Sequence, residues 1–184
     1  ARQLGLTLSI TGKLTMYHRM TGYIVRTFFY SMLASFICIG FIMMISMGSW
    51  KLGLLSLPPN IVPMAFGIGL MTIMQRPIDI GTSLVISVCF GIAVDDTIHF
   101  LIHYRQNMDK GMAIKEAIRD IYIHTAPSLV FTTVILVTCF GAFVFANFIP
   151  NVNFGILCAF TLSVALAMDL LYLPALLFTF KLRK

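Results

Sequence analysis

The chain has 184 residues, 59% of them hydrophobic and 11% charged, with a net charge of +6 and a mean hydropathy of +0.93. Soluble domains carry about 25% charged residues, and a domain of this size has too little interior to hide so much apolar surface. A soluble globular fold is excluded and an integral membrane domain is expected. The basic residues cluster at the ends of apolar runs, which points to membrane topology and away from nucleic acid. Cys38, Cys89, Cys139 and Cys158 all fall inside apolar runs without a C-x-x-C pair, so they read as buried free thiols.

Residues 1–27 alternate polar and apolar positions (Leu6, Leu8, Ile10) before Thr11-Gly12, and they read as the end of an extracytoplasmic domain leading into the membrane. Residues 28–180 then hold five apolar stretches, at 28–47, 52–74, 80–104, 125–147 and 154–180. Each is about 20 residues or longer, enough to cross ~30 Å of hydrocarbon. Short links force neighbouring helices to run antiparallel. The fold class expected is therefore all-α, a polytopic bundle of five transmembrane helices. Pro58-Pro59-Asn60 and Pro63 predict a kinked or irregular start to the second span. Gly67 and Gly69 predict close approach of another helix. Pro174 predicts a kink near the end of the fifth.

The link after the third span reads RQNMDKGMAIKEAIRDIYIH. Ile114, Ile118 and Ile121 share one helical face among charged neighbours. This predicts a cytoplasmic amphipathic helix over about 106–122, with its apolar face in the membrane interface. Lys51, Arg105, Lys110, Lys115, Arg119, Lys181, Arg183 and Lys184 lie on one side, eight in all, against five (Arg2, Lys13, Arg19, Arg26, Arg76) on the other. The first side is cytoplasmic by this count, residues 181–184 form a cytoplasmic tail, and an odd number of spans puts residue 1 outside. With no initiator Met and no signal peptide, an upstream segment such as a further span is expected.

Inside the third span stand two adjacent acids, Asp95 and Asp96, each costing roughly 2.5–3.5 kcal/mol at the bilayer centre on insertion scales. Gly91, Asp95, His99 and His103 recur every four residues and share one helical stripe. Gly91 leaves room beside Asp95 for another helix or for water. Asp96 points about 100° away and reaches toward His99 at i+3. Asp169 in the fifth span is about the fifteenth residue of its run, as Asp95 is of its own, so the two are expected at similar depth, with Tyr172 nearby. No Lys or Arg occurs within the five apolar cores. Desolvation and mutual repulsion disfavour an ionised carboxyl, and a carboxyl in such a setting exchanges protons near neutral pH. Asp95, Asp96, His99 and Asp169 are thus candidate proton-relay residues, with Gly91 as a packing position beside them. The bland alternative is a structural role, the acids being protonated and bonded to Thr97, Thr82 or backbone. His103 reads as marking the aqueous interface, and His18 and His124 as surface residues.

The run FGIAVDDTIHFLIHYRQNM, followed by G-x-A-I-x-x-A-I, resembles the resistance–nodulation–division (RND) superfamily, closest to its MMPL-type branch and to sterol-sensing domains. Thr11-Gly12, Pro59-Asn60, Asn153-Phe154-Gly155, Asp169-Leu170 and Leu173-Pro174-Ala175 extend the resemblance over the whole chain. It implies helices two to six of one transporter half, the tail favouring the C-terminal half. It also implies proton carriage by Asp95 and Asp96, and partners in the other transmembrane half and an extracytoplasmic domain. A lysine that drug-efflux members place against their acids has no counterpart in these residues. The function expected is a proton-driven exporter of lipids or other hydrophobic compounds. It would work among membrane lipids in a bacterial inner (plasma) membrane, with protons as the coupling ion. No catalytic role, cofactor, metal or nucleic acid is expected, and self-association is left open. Two alternatives stand beside it: a sterol- or lipid-sensing module without transport, and an intramembrane aspartyl protease, whose usual G-x-G-D element is absent.

Overall fold

The computed structural model describes residues 12–48, 53–54, 56–76 and 80–180. Helix α1 spans Lys13–Met47 and so begins well before the expected start at Phe28. No proline interrupts residues 13–47, so nothing breaks the hydrogen-bond ladder between Gly12 and Gly48. The helix stops at Gly48, whose φ of +56° puts it in the left-handed region that glycine adopts most readily. The Arg105 guanidinium packs over this glycine, 3.1 Å from where a Cβ would sit. A cation at a helix C-terminus is favourably placed against the helix dipole. The contact also sets the ends of α1 and the third helix side by side.

Helix α2 spans Leu57–Ile73. Pro58 and Pro59 occupy its first turn, where a missing N–H costs nothing, and Pro63 lies inside it. Its 17 described residues form an apolar helix. Among the described residues four other helical stretches are long and apolar enough to span: Gly22–Ile45, Gly81–Asp109, Ala126–Phe145 and Ile149–Thr179. Among the described residues the bundle thus shows these four and the shorter apolar helix α2. The expected beginning of the second span, at Leu52, lies outside the described residues, as do residues 1–11 and the tail.

Helix α3 spans Ile80–Asp109, five residues past the expected end at Tyr104. It ends at Gly111, with φ +82°. There Gly111 N–H donates to Met108 O and Met112 N–H to Asn107 O, the paired bonds of a Schellman cap. Helix α4 therefore spans Ile114–His124, a correction to the 106–122 expectation. The Glu116 carboxylate accepts the Ala113 N–H at its start. Its apolar face also differs from expectation. Ala117, Ile118 and Ile121 are buried against Phe100, Leu101 and Tyr104 of α3, not in lipid. Asn107 of α3 reinforces the docking by donating to Asp120 at 2.8 Å.

Helix α5 spans Ala126–Gly141 and continues as a 3-10 turn over Ala142–Phe145. Helix α6 spans Ile149–Ala167 and begins before the expected Phe154. It passes through a π-turn, Met168–Tyr172, into α7, Leu173–Phe180. The expected Pro174 kink thus takes the form of a wide turn just before the proline. Pro174 has no N–H to offer the Leu170 carbonyl; the Tyr122 hydroxyl of α4 donates to that carbonyl instead. Leu173 and Leu177 of α7 complete the cluster beneath α4.

Helix α3 is the shared spine. Its Val85, Ile86, Cys89, Phe90 and Val94 pack with Met64 and Met71 of α2 and with Leu157, Cys158 and Leu162 of α6. Between apolar helices in lipid, close packing replaces the hydrophobic drive that water supplies elsewhere. Accordingly, a Cβ on Gly67 would meet Thr161 Oγ1 at 2.7 Å, and one on Gly155 would meet Phe140 O at 2.6 Å. No described residue lies within 4 Å of such a Cβ on Gly69, so among the described residues the predicted close approach holds at Gly67 alone of the two. Cys89 and Cys158 are buried free thiols as expected, whereas Cys38 and Cys139 face outward.

Candidate functional site: two polar faces of one helix

Residues 95, 96 and 97 follow one another at about 100° intervals around α3, and so look toward three different surroundings. Thr97 looks into the bundle and is fully buried. Its hydroxyl lies 2.6 Å from Asp169 Oδ1, 3.1 Å from Ala93 O and 3.4 Å from Asn60 Oδ1. One hydroxyl proton serves one acceptor at a time, and the distances assign it to Asp169. Asn60 is oriented by its own amide, which donates to Ser56 O at 2.7 Å, and Ser56 Oγ donates to Gly53 O at 2.6 Å. Asp169, 1% exposed, thus ends a closed polar chain running through α2, α3 and the π-turn. π-turns recur at functional sites because they re-aim a side chain within a continuous helix.

The opposite face is open. The Asp95 side chain is 71% exposed within the chain and that of His99 58%, with His99 Nε2 3.7 Å from Asp95 Oδ1. Both line a groove of 490 Å³ between α3 and α5, which also takes in Asp96, His103 and His124. Gly91 lies on the same exposed stripe, with nothing within 4 Å of a Cβ built there. The expected stripe of Gly91, Asp95, His99 and His103 is therefore present as one exposed face of the helix.

Asp96 stands between the two faces. It is 9% exposed yet still touches the groove. Thr133 of α5 is within hydrogen-bonding reach, and Asp96 is near enough for its charge to act on Asp169. The expected nearness in depth of the acids on α3 and of Asp169 agrees with the direct Thr97–Asp169 bond. The donor to Asp169 is Thr97, however, and Tyr172 is 38% exposed.

Sequence reasoning missed Ser56, Asn60 and Thr133 as members of the site, and weighed Thr97 only as a structural partner. An asparagine inside an apolar span was the available signal for Asn60, since an uncharged amide in lipid also needs a partner. Nothing in the local pattern marked Thr133, one of several threonines on α5. Among the described residues, no three His, Cys, Asp or Glu side chains are arranged to hold a metal ion. What the site can do chemically is move protons and rearrange hydrogen bonds. A protonated Asp169 would donate to Thr97 Oγ1, and the Thr97 proton would then turn to Ala93 O or Asn60 Oδ1.

A sequence model of the MMPL family matches residues 1–181. The chain is also 30% identical over 124 residues to a protein of Methanocaldococcus jannaschii named only as a membrane protein. That stretch is 67% of this chain and 32% of the relative, so the match takes in about a third of the relative's length.

Proposed function

The chain belongs to the MMPL family of RND-type, transporter-like membrane proteins, and we propose that it is the proton-coupling part of a secondary transporter exporting lipids or other hydrophobic compounds. The observation that carries this reading is the position of Asp96, between the open groove of Asp95 and His99 and the closed chain of Asp169, Thr97 and Asn60. A proton reaching Asp169 is exchanged through Asp96 with Asp95, the acid that meets water. Its arrival weakens the charge-assisted bond from Thr97, a bond type worth roughly 1.5–3 kcal/mol. The Thr97 hydroxyl is then free to serve α2 through Asn60. Protonation so changes which helix α3 is tied to, and that exchange drives movement elsewhere in the transporter. A membrane potential adds about 2.3 kcal/mol per charge per 100 mV.

The same reading accounts for the exposure of Asp95. Lipid does not tolerate a bare carboxylate in mid-span, so this face of α3 is covered by water and by further protein. The other transmembrane half or a second copy would lie here, with an extracytoplasmic domain as the further partner. The plasma membrane is the proposed location, the groove mouth beside Arg105 facing the cytoplasm.

One observation favours a second reading, a lipid-sensing module. An apolar groove of 520 Å³ runs along Tyr122, Ala126, Pro127, Val130, Phe131, Val134 and Leu170. Proton flux into vesicles holding the full-length protein separates the two. Asp96→Asn is expected to cut flux at least 100-fold while the protein still inserts and folds, the scale of losing a positioned proton-transfer group. Flux at the normal rate in that variant would reject the relay. Lipid binding indifferent to pH, without proton flux in the unaltered protein, would favour the sensor.

A further inference from the structure

The groove between α3 and α5 contains more titratable groups than the relay uses. From mid-span toward the Arg105 end they come in order. Asp95 is followed by His99, 3.7 Å away, and His103 stands one helical turn, about 5–6 Å, farther along the same stripe. His124, the last residue of α4, lines the same groove from the other side. His124 Nε2 is 3.5 Å from Asp120 Oδ1. The remaining polar lining comes from Thr125, Ser128 and Thr132, all neutral, and among the described residues no Lys or Arg contributes to the wall.

We propose that His103 and His124, with His99 behind them, form a proton port joining Asp95 and Asp96 to the aqueous phase on the Arg105 side. The proposal rests on the relay reading and gives it a direction. A proton leaving mid-span for that side has these imidazoles as its stepping points. Imidazole suits the task because its ordinary pKa, about 6.5, lies near physiological pH. Each ring takes a proton on one nitrogen and releases one from the other. In sequence, the Asp95 carboxyl gives its proton to His99, the imidazolium passes one to His103 directly or through groove water, and His103 or His124 hands it to solvent buffer. Asp120 holds the His124 ring at the mouth. That three imidazoles share one groove with both acids sets them apart from scattered surface histidines.

The test uses the full-length protein reconstituted in vesicles, with proton flux driven by an imposed pH difference and read by a trapped dye. The double variant His103→Ala/His124→Ala is expected to lose about tenfold in flux, less than the roughly 100-fold or more of a positioned proton-transfer group, because His99 stays in place. Free histidine, an imidazole that does not cross the bilayer, is expected to restore flux in proportion to its concentration when added on the Arg105 side. Added on the opposite side it should do nothing. Unchanged flux in the double variant, lost flux that histidine does not restore, or restoration from either side alike would each overturn the port. Asp96→Asn, run in parallel, separates the two proposals. Flux lost in Asp96→Asn but indifferent to the histidines leaves the relay standing without this port, and normal flux in Asp96→Asn removes both.

Discussion

The two sides of α3 carry similar chemistry in opposite settings. On one side Asp169, Thr97, Asn60 and Ser56 are almost wholly enclosed, and each is held by a named hydrogen bond. On the other, Asp95 and His99 stand more than half exposed with one loose contact between them. The difference is made by small residues. On the enclosed side, Gly67 lets α2 come against Thr161 and Leu157 of α6. On the open side, no described residue comes within 4 Å of a Cβ built on Gly91. Enclosure suits a group whose protonation must alter helix contacts; openness suits one that must meet water. One helix serves both needs because a single residue step turns the side chain by about 100°.

The comparison can be broken most sharply at Gly67. Gly67→Val places methyl groups where Thr161 Oγ1 already lies, and overpacking of this kind costs about 1–3 kcal/mol. Unfolding in detergent should show that loss, with proton flux falling as the enclosed side opens. A wild-type denaturation midpoint would mean that α2 and α6 are not so close. Thr97→Val is next in size. It keeps the shape but removes the donor to Asp169, so a cost of about 1–3 kcal/mol is expected while Asp169 is ionised. Hydrogen bonds to charged acceptors are the stronger ones, so the gap from wild type should be widest at high pH and should narrow as pH falls and the carboxyl takes up its proton. A gap that widens on acidification would contradict the assignment of the Thr97 proton. Tyr122→Phe removes the donor to the Leu170 carbonyl, for about 1 kcal/mol. Hydrogen exchange should report it, as faster exchange confined to α4 and the π-turn. The smallest effect is expected on the open side. Gly91→Ala should leave stability unchanged or raise it by up to about 1 kcal/mol, the helix-propensity difference alone. A large loss there would mean that another element already fills the space.

Most of the helices were legible because apolar runs in lipid have few alternatives to helix. The stripe of Gly91, Asp95, His99 and His103 was legible because four-residue spacing fixes a shared face without any knowledge of neighbours. What that face would meet was not legible, and the same limit explains the other differences. The isoleucines of α4 announce an apolar side, but lipid and the flank of α3 are equally good destinations for it, and only the Gly111 turn and Asn107 select the second. Residues 13–27 mix polar and apolar side chains as an external segment would, yet they contain no helix breaker stronger than Gly22. Asn60 and Thr133 entered the site through long-range contact, which leaves no periodic trace.

The π-turn before Pro174 sets the registration of the continuous rod formed by α6 and α7. Inserting one residue beyond a regular α-turn rotates everything after it by about 100°. Leu173 and Leu177 thereby come to rest under α4, while Asp169 is aimed at Thr97. A protein shorter by one amino acid between 168 and 172 would have to choose which of those appointments to keep, so the surplus residue acts as a shim that lets one rod satisfy two differently facing neighbours.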